Sequence, residues 1–355
     1  MGQGFLKRLI EWSKTKISKT SPPYMQKQVN TKNNLKLTWQ KCTDVPGKLW
    51  ATSAAELNGK VYITARSSEG AYCDPFGYNH HEDCWFSLPE LPVIRFSLAA
   101  APNRKHLLSI GGVDDNGKVT NKVFLWDENY KEWLTPYPDM PTARCYSSCI
   151  SHGSSVIVAG GLTGWNPLAR TRSVEILHIS ETDSHWSIVE QLPHVTQEAI
   201  PIIVNDNLYI AGGFDEDHES TCNVVTASLS QLLRSNDSNI NCGQVWKKLP
   251  DMPYSSLSIN HYQGQLITFT GDRLVEHTDE DKPAWSLVPL IYIYNPDTKS
   301  WDSIGESPLG YLIGYSVHLE ENKIFFVGGL TGTHISGKED DIVTTCMLLT
   351  FAPQL

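Results

Sequence analysis

The chain has 355 residues, of which 40% are hydrophobic and 19% charged, with 25 glycines and 20 prolines, a usage too apolar for a disordered protein. Eleven tryptophans and 14 tyrosines beside so many turn formers favour sheet over helix bundle. A formal net charge of −10 removes the whole-protein electrostatic footprint of a DNA- or RNA-binding protein, so no nucleic acid partner is expected.

The first element is a basic arm, residues 1–35. It holds seven lysines and arginines against one glutamate, a surplus of six, so the other 320 residues carry −16. Phe5, Leu6, Leu9, Ile10, Trp12 and Ile17 fall within an arc of about 160° at helical spacing. Two readings follow. One is a basic amphipathic helix that brings residues 1–20 to an anionic membrane surface or a partner groove. The other is a solvated leader, which is favoured because a short isolated helix is marginal in water. Leu6 stands where a myristoylation motif wants Ser or Thr, so Gly2 is not read as lipidated. No run of 18 apolar residues predicts a transmembrane segment, and Glu11, Ser13 and Lys14 interrupt any secretory core. The expected setting is cytoplasmic, with the eight cysteines reduced.

The next 320 residues repeat. Gly-Gly recurs after a short β-branched run at Gly111-Gly112, Gly160-Gly161, Gly212-Gly213 and Gly328-Gly329, at intervals of 49, 52 and 116 residues. The last interval is twice 58, and its midpoint falls on Thr270-Gly271, a unit that has lost one glycine. Stepping back 46 residues from Gly111 reaches Ala65-Arg66 after Val61-Tyr62-Ile63-Thr64, a unit that has lost both, which makes six. Five units place a tryptophan downstream (Trp85, Trp133, Trp186, Trp246, Trp301), followed by a proline turn at Leu91-Pro92, Met140-Pro141, Leu192-Pro193, Met252-Pro253 and Ser307-Pro308. The sixth runs out of chain without one. Its missing piece stands at the other end of the sequence, where Trp39 precedes Val45-Pro46 at the matching offset.

Physically, each unit is four short strands that cannot bury both sheet faces alone and must pack against neighbours in a ring. The diglycine ends the second strand where backbones approach closely or φ is positive. The N-terminal strand completes the last unit and removes the open edges. The expectation is all-β: a six-bladed β-propeller over residues 36–355, closed by its own ends.

An apolar strand ending in Gly-Gly, a spaced aromatic such as Tyr294-Asn295-Pro296-Asp297-Thr298-Lys299-Ser300-Trp301, and a proline turn resemble the kelch repeat. Departures are Ala65-Arg66, Thr270-Gly271 and Ile176-Leu177-His178 in place of a tyrosine in the third unit. A WD-type propeller is the nearest competitor, but its Gly-His never occurs at period. Kelch propellers are often fused to a BTB domain; with 35 residues ahead of the repeats, none is expected in this chain.

Candidate chemistry is sparse. His80, His81, Glu82 and Asp83 between Cys73 and Cys84 match no paired metal-ligand spacing and read as a polar turn. Glu276, Asp279, Glu280 and Asp281 lack the glycine bend of a calcium loop and read as solvated. Neither a metal nor a cofactor is expected. The resemblance also includes enzymes: sialic acid mutarotases, a copper oxidase with a crosslinked Cys–Tyr pair, and nitrile specifier proteins with a Glu-x-x-x-Asp-x-x-x-His motif that is missing here. A mutarotase needs only a few acid/base groups in a pocket, so a sugar mutarotase is the alternative to the principal expectation, a non-catalytic protein-interaction module.

Strand alternation puts the turns from strand two to three and the turns joining blades on one end of the ring. The first set begins at Arg66, Asp114, Thr163 to Trp165, Asp215, Arg273 and Thr331; the second carries Trp50, Arg95, Arg144, Tyr146, Tyr254 and Tyr311. Arg, Tyr and Trp are the residue types that supply binding hot spots. The partner-binding set is therefore Arg66, Arg95, Arg144, Tyr146, Trp165, Tyr254, Arg273 and Tyr311. In kelch adaptors, which this chain resembles, arginines at equivalent turns bind acidic peptide motifs, so an acidic motif is the expected target of Arg66, Arg95 and Arg144.

Overall fold

A computed structural model of the chain describes residues 35–47, 49–67, 72–91, 93–94, 97–100, 106–165, 168–217, 220–234, 245–254, 258–269, 290–306, 315–320, 322–330 and 342–353. Six four-stranded antiparallel sheets form, one for each repeat. Blade 1 is Leu49–Leu57, Lys60–Ser67, Tyr72–Asn79 and Cys84–Ser87; blade 2 is Ser97–Ala100, Leu107–Ile110, Val123–Asp127 and Glu132–Leu134. Blade 3 is Ser148–His152, Ser155–Ala159, Ser173–His178 and His185–Gln191; blade 4 is Ile200–Val204, Asn207–Ala211, Val224–Ser228 and Lys247–Lys248. Blade 5 is Ile259–Tyr262, Gln265–Phe269, Leu290–Asn295 and Ser300–Glu306. Blade 6 takes Tyr315–Glu320, Lys323–Leu330 and Ile342–Pro353 from the end of the chain and Leu35–Cys42 from its beginning.

The core is distributed. Among the described residues, six apolar clusters lie one between each pair of neighbouring blades, so every second strand is covered on both faces. That is why Leu107–Ile110 and Ser155–Ala159 are buried at every position instead of alternating. The repeated tryptophans tie adjacent blades. The indole of Trp85 donates to Thr43 O at 3.0 Å, Trp133 to Pro89 O at 3.1 Å, Trp186 to Pro138 O at 2.8 Å and Trp301 to Pro250 O at 3.2 Å. Each acceptor stands two residues before the apolar residue of the preceding unit's proline turn, which explains why tryptophan and proline keep a common period.

The diglycines need both properties that the sequence suggested. Gly160 has φ +64, and a Cβ there would lie 2.5 Å from Thr196 O, the carbonyl that accepts from Gly161 N. Where glycines are missing the strand runs on: in blade 1 it continues through Ala65-Arg66 to Ser67, with Arg66 opposite Trp50. In blade 6 the strand passes through Gly328-Gly329 to Leu330 with a register shift, so there the diglycine does not end the strand. Blade 4 adds a short helix, Leu229–Arg234, whose Leu229 and Leu232 are fully buried. It occupies the extra length visible in the sequence, where 33 residues separate Gly213 from Trp246 against 25 from Gly161 to Trp186.

Closure is as anticipated. Leu35–Cys42 pairs with Ile342–Pro353 from Leu35↔Pro353 to Cys42↔Cys346. Leu35, Leu37 and Trp39 pack into the cluster shared with blade 5, with Trp39 5.3 Å from the Phe326 ring centroid. Beyond the strand, Thr43 N donates to Asp83 Oδ1 at 2.7 Å and Thr43 Oγ1 to Asp83 O at 2.8 Å, joining blade 6 to blade 1. Tyr78 OH donates to the same Asp83 Oδ1 at 2.5 Å and its ring stacks on Phe325 at 4.6 Å. The arm itself, residues 1–34, lies outside the described residues.

Two outcomes follow from the seam. Removing residues 36–44 uncovers the faces of two interblade clusters and should cost about 3 kcal/mol or more, read as a lower denaturant midpoint. An unchanged midpoint would show that the strand is dispensable. The Thr43 amide, then the Tyr78 hydroxyl, hold the Asp83 carboxyl below its ordinary range. A depressed folded pKa stabilises above the ordinary value and loses that contribution as pH falls through the folded one, so the latch weakens below about pH 4. Asp83→Asn should therefore lower the melting temperature at pH 7, and its difference from the parent should shrink as pH falls below about 4.

Candidate functional site

The end of the ring that carries the strand two-to-three turns and the blade-joining turns, here the upper end, is ordered by one recurring backbone pairing. Just past each diglycine a residue bridges back to the chain entering the blade: Val113 to Ile94, Leu162 to Cys145 and Phe214 to Gln197. These three pairings stand in equivalent register, so Tyr146 and Glu198, which follow the second and third, occupy one structural position in blades 3 and 4. Tyr146 has φ +53 and Glu198 φ +56. Left-handed backbone is unfavourable for a tyrosine and is retained where the surroundings enforce it, often at functional sites. Glu198 N donates to Tyr146 O at 2.9 Å, so this rim is continuous from blade 3 to blade 4.

The residue before each bridge turns inward instead. Arg144 is fully buried. Its Nη1 donates to Gly160 O and Ser173 O at 3.0 Å each, its Nη2 to Ser173 Oγ at 2.6 Å and to Glu175 Oε1, and its Nε to Thr142 O at 3.3 Å. Glu175, equally buried, also accepts from Thr142 N at 3.2 Å. The expectation that Arg144 meets a partner is thus corrected: its guanidinium is a satisfied strut inside blade 3. Tyr254 takes the same slot in blade 5, its ring 6.0 Å from Tyr292, which is the register equivalent of Glu175. Tyr146 is 7% exposed and packs with Val113, Val119 and Leu162, so most of its ring serves the upper apolar cap rather than an open surface.

Arg95 and Arg144 looked equivalent because each stands three residues after its proline and 16 before its diglycine. The described strands on either side differ: the turn entering blade 2 is two residues shorter than that entering blade 3, and its first hairpin is two longer, with Ser97 opposite Ile110 against Ser148 opposite Ala159. Counted back along the sequence from the first strand, the place that Tyr146 holds in blade 3 falls to Arg95 in blade 2. Glu198 was missed because it lacks the residue type sought; its signal was its place in register. Arg95, Arg273 and Tyr311 lie outside the described residues, as do the side chains of Arg66 and Trp165, whose backbones belong to Lys60–Ser67 and to the Leu162–Trp165 hairpin strand.

Beside the rim opens a channel of about 480 Å³ lined by the innermost strands of all six blades. Its upper wall is stitched by serines: Ser53 Oγ accepts from Leu98 N at 3.0 Å, Ser97 Oγ donates to Ser147 O at 2.6 Å, and Ser148 Oγ to Ala199 O at 2.6 Å. Ser258 Oγ and Asn260 Nδ2 both donate to Ser316 Oγ at 2.5 Å. Tyr315 stands at the same level; burial, and then the Glu198 carboxylate, push its phenol pKa up. Deeper in, the lining includes Glu56, His152, His261 and His318, with the His261 and His318 rings stacked at 4.3 Å and burial holding His261 below its ordinary pKa. On the lower end, the His80 ring lies 2.5 Å from Gly59 O and 3.4 Å from Glu320, so it is engaged within the fold.

No family model matches the chain. It is 24% identical over 257 residues to Kelch-like protein 15 of Mus musculus, covering 69% of this chain and 40% of that protein. It is 25% identical over 195 residues to Kelch-like protein 35 of Mus musculus, covering 53% of this chain and 31% of that one. The chain thus spans less than half the length of these curated relatives. A solved structure described as that of YjhT superposes with a TM-score of 0.66 at 16% identity, covering 88% of this chain and 99% of the other, which shows the fold.

The buried strut has a measurable consequence. Arg144→Ala leaves the Glu175 carboxylate buried without its cation and should cost about 3–5 kcal/mol in chemical denaturation, far beyond a surface arginine. Pairing it with Glu175→Leu should recover much of that loss. A single variant as stable as the parent would return Arg144 to the surface.

Proposed function

We propose that this chain, a six-bladed kelch-repeat β-propeller, is a non-catalytic module that recognises a protein partner through its upper end. The observation that carries the reading is the rim: one repeat position, left-handed at Tyr146 and Glu198, runs from blade 3 to blade 4 beside the channel, and the sequence count assigns the same position in blade 2 to Arg95. With Arg144 internal, the cationic candidates are Arg66 and Arg95, with Arg273 on blade 5, and the acidic motif is assigned to Arg66 and Arg95. Glu198 adds an acceptor for a basic or amide group on the same segment. Trp165 and Tyr311 are assigned the apolar area beside it. No helix among the described residues is long and apolar enough to cross a membrane; a cytoplasmic site of action, and contact of residues 1–20 with a membrane surface, belong to the same proposal.

A second reading, a small-molecule enzyme such as a sugar mutarotase, draws on the channel, where Glu56, His152, His261 and His318 line the wall as acid/base groups. Saturable binding of a small sugar in calorimetry, abolished by His261→Ala, would favour it.

Partners captured by proximity labelling of the intact chain distinguish the ends of the ring. Arg95→Ala combined with Glu198→Arg should weaken a captured partner by about 2–5 kcal/mol if the charges are desolvated and paired, with the melting temperature preserved. His81→Ala with Glu82→Ala, both on the exposed lower end, should leave it bound. The opposite pattern would place recognition on the lower end.

A further inference from the structure

The strand that closes the ring carries a cysteine directly opposite another. Cys42, the last residue of Leu35–Cys42, is the ladder partner of Cys346 in Ile342–Pro353. Both side chains enter the same cluster between blades 6 and 1, which fixes them on one face of the sheet. Residues directly opposed on antiparallel strands have Cα atoms about 4.5–5.5 Å apart, inside the roughly 4.4–6.8 Å span of disulfides. Both are thiols in this structure. Among the described cysteines no other two are ladder partners; Cys149 faces Val158 and Cys145 faces Leu162.

We propose that Cys42 and Cys346 are a covalent crosslink site: an intrachain disulfide formed by exchange with a low-molecular-weight disulfide, which turns the non-covalent seam of the propeller into a covalent one. Cys42 reacts first. It ends its strand at 7% exposure beside exposed Thr43 and Asp44, whereas Cys346 is fully buried. The Cys42 thiolate attacks the oxidant's S–S bond, forming a mixed disulfide and releasing one thiol. Cys346 then gives up its proton and attacks the Cys42 sulfur, releasing the second thiol. Two protein thiols are oxidised, one small disulfide is reduced to two thiols, and both thiol protons end on the departing molecules. Burial raises the Cys42 pKa above the ordinary thiol value, so the first step is slow and depends on fraying of the strand end. The product joins residues 42 and 346 and encloses nearly the whole propeller in one covalent loop, the case in which a crosslink restricts the unfolded chain most.

The intact chain is incubated with oxidised glutathione at neutral pH, blocked with iodoacetamide, digested without reduction and mapped by mass spectrometry. A Cys42–Cys346 peptide should be the main crosslink. The oxidised sample should melt about 5 °C or more above the same sample after reduction. Cys84→Ser, which removes the thiol beside Asp83, should keep both effects, and Cys42→Ser should lose both. The proposal is overturned by a lasting glutathione adduct on Cys42, by linkage of Cys42 to Cys84, or by a Cys42–Cys346 link that leaves the melting temperature at its reduced value. The peptide map of the parent chain decides the matter even where Cys42→Ser fails to fold.

Discussion

A four-stranded sheet whose two faces are both apolar has no means of hiding either by itself, and in this protein no blade owns a core. The six clusters lie between blades, each built from the face of one and the opposite face of the next. Burial is therefore complete only when the last blade meets the first, and the strand Leu35–Cys42 is what brings them together. The network of Thr43, Tyr78, Asp83 and Trp85 fastens that seam. Three of the other seams repeat the tryptophan–carbonyl tie, the indole on the outer strand of one blade reaching the start of the preceding unit's proline turn.

The same packing generates the rim. For blades to sit close, the chain entering one must lay a carbonyl on the diglycine of the one before: Arg144 O on Gly112 N at 2.8 Å and Thr196 O on Gly161 N at 2.9 Å. A side chain on the first glycine would stand 2.2 Å from Arg144 O at Gly111, so glycine is required for contact as well as for conformation. Two residues further the entering chain turns through left-handed backbone at Tyr146 and Glu198. A structural device for joining blades thus places residues of different chemistry, tyrosine and glutamate, at one repeat position in blades 3 and 4.

How far a residue's role could be read from the chain depended on whether its neighbours were local. The glycine, tryptophan and proline periods are steric and hydrogen-bonding requirements repeated in each unit, and they marked even the degenerate copies at Ala65-Arg66 and Thr270-Gly271. Arg144 misled because one arginine can serve as a strut or as a contact, and the carboxylate that decides between them, Glu175, lies 31 residues along the chain. Spacing alone also hides two compensating length changes between blades 2 and 3, a shorter entering turn and a longer first hairpin, which only the strand register reveals.

By itself, then, the sequence determined the six-fold repeat, the all-β class and the closure by Trp39 and its strand, because these follow from periodic local constraints and from burying two-sided sheets. Only the tertiary structure decided which upper-end residues are buried and which line the rim, that Glu198 and Tyr315 face one another electrostatically from blades 4 and 6, and that Cys42 lies against Cys346. The physical reason is that inward and outward positions in a blade-joining turn differ by single residues of register, and register is set by pairing with strands far along the chain.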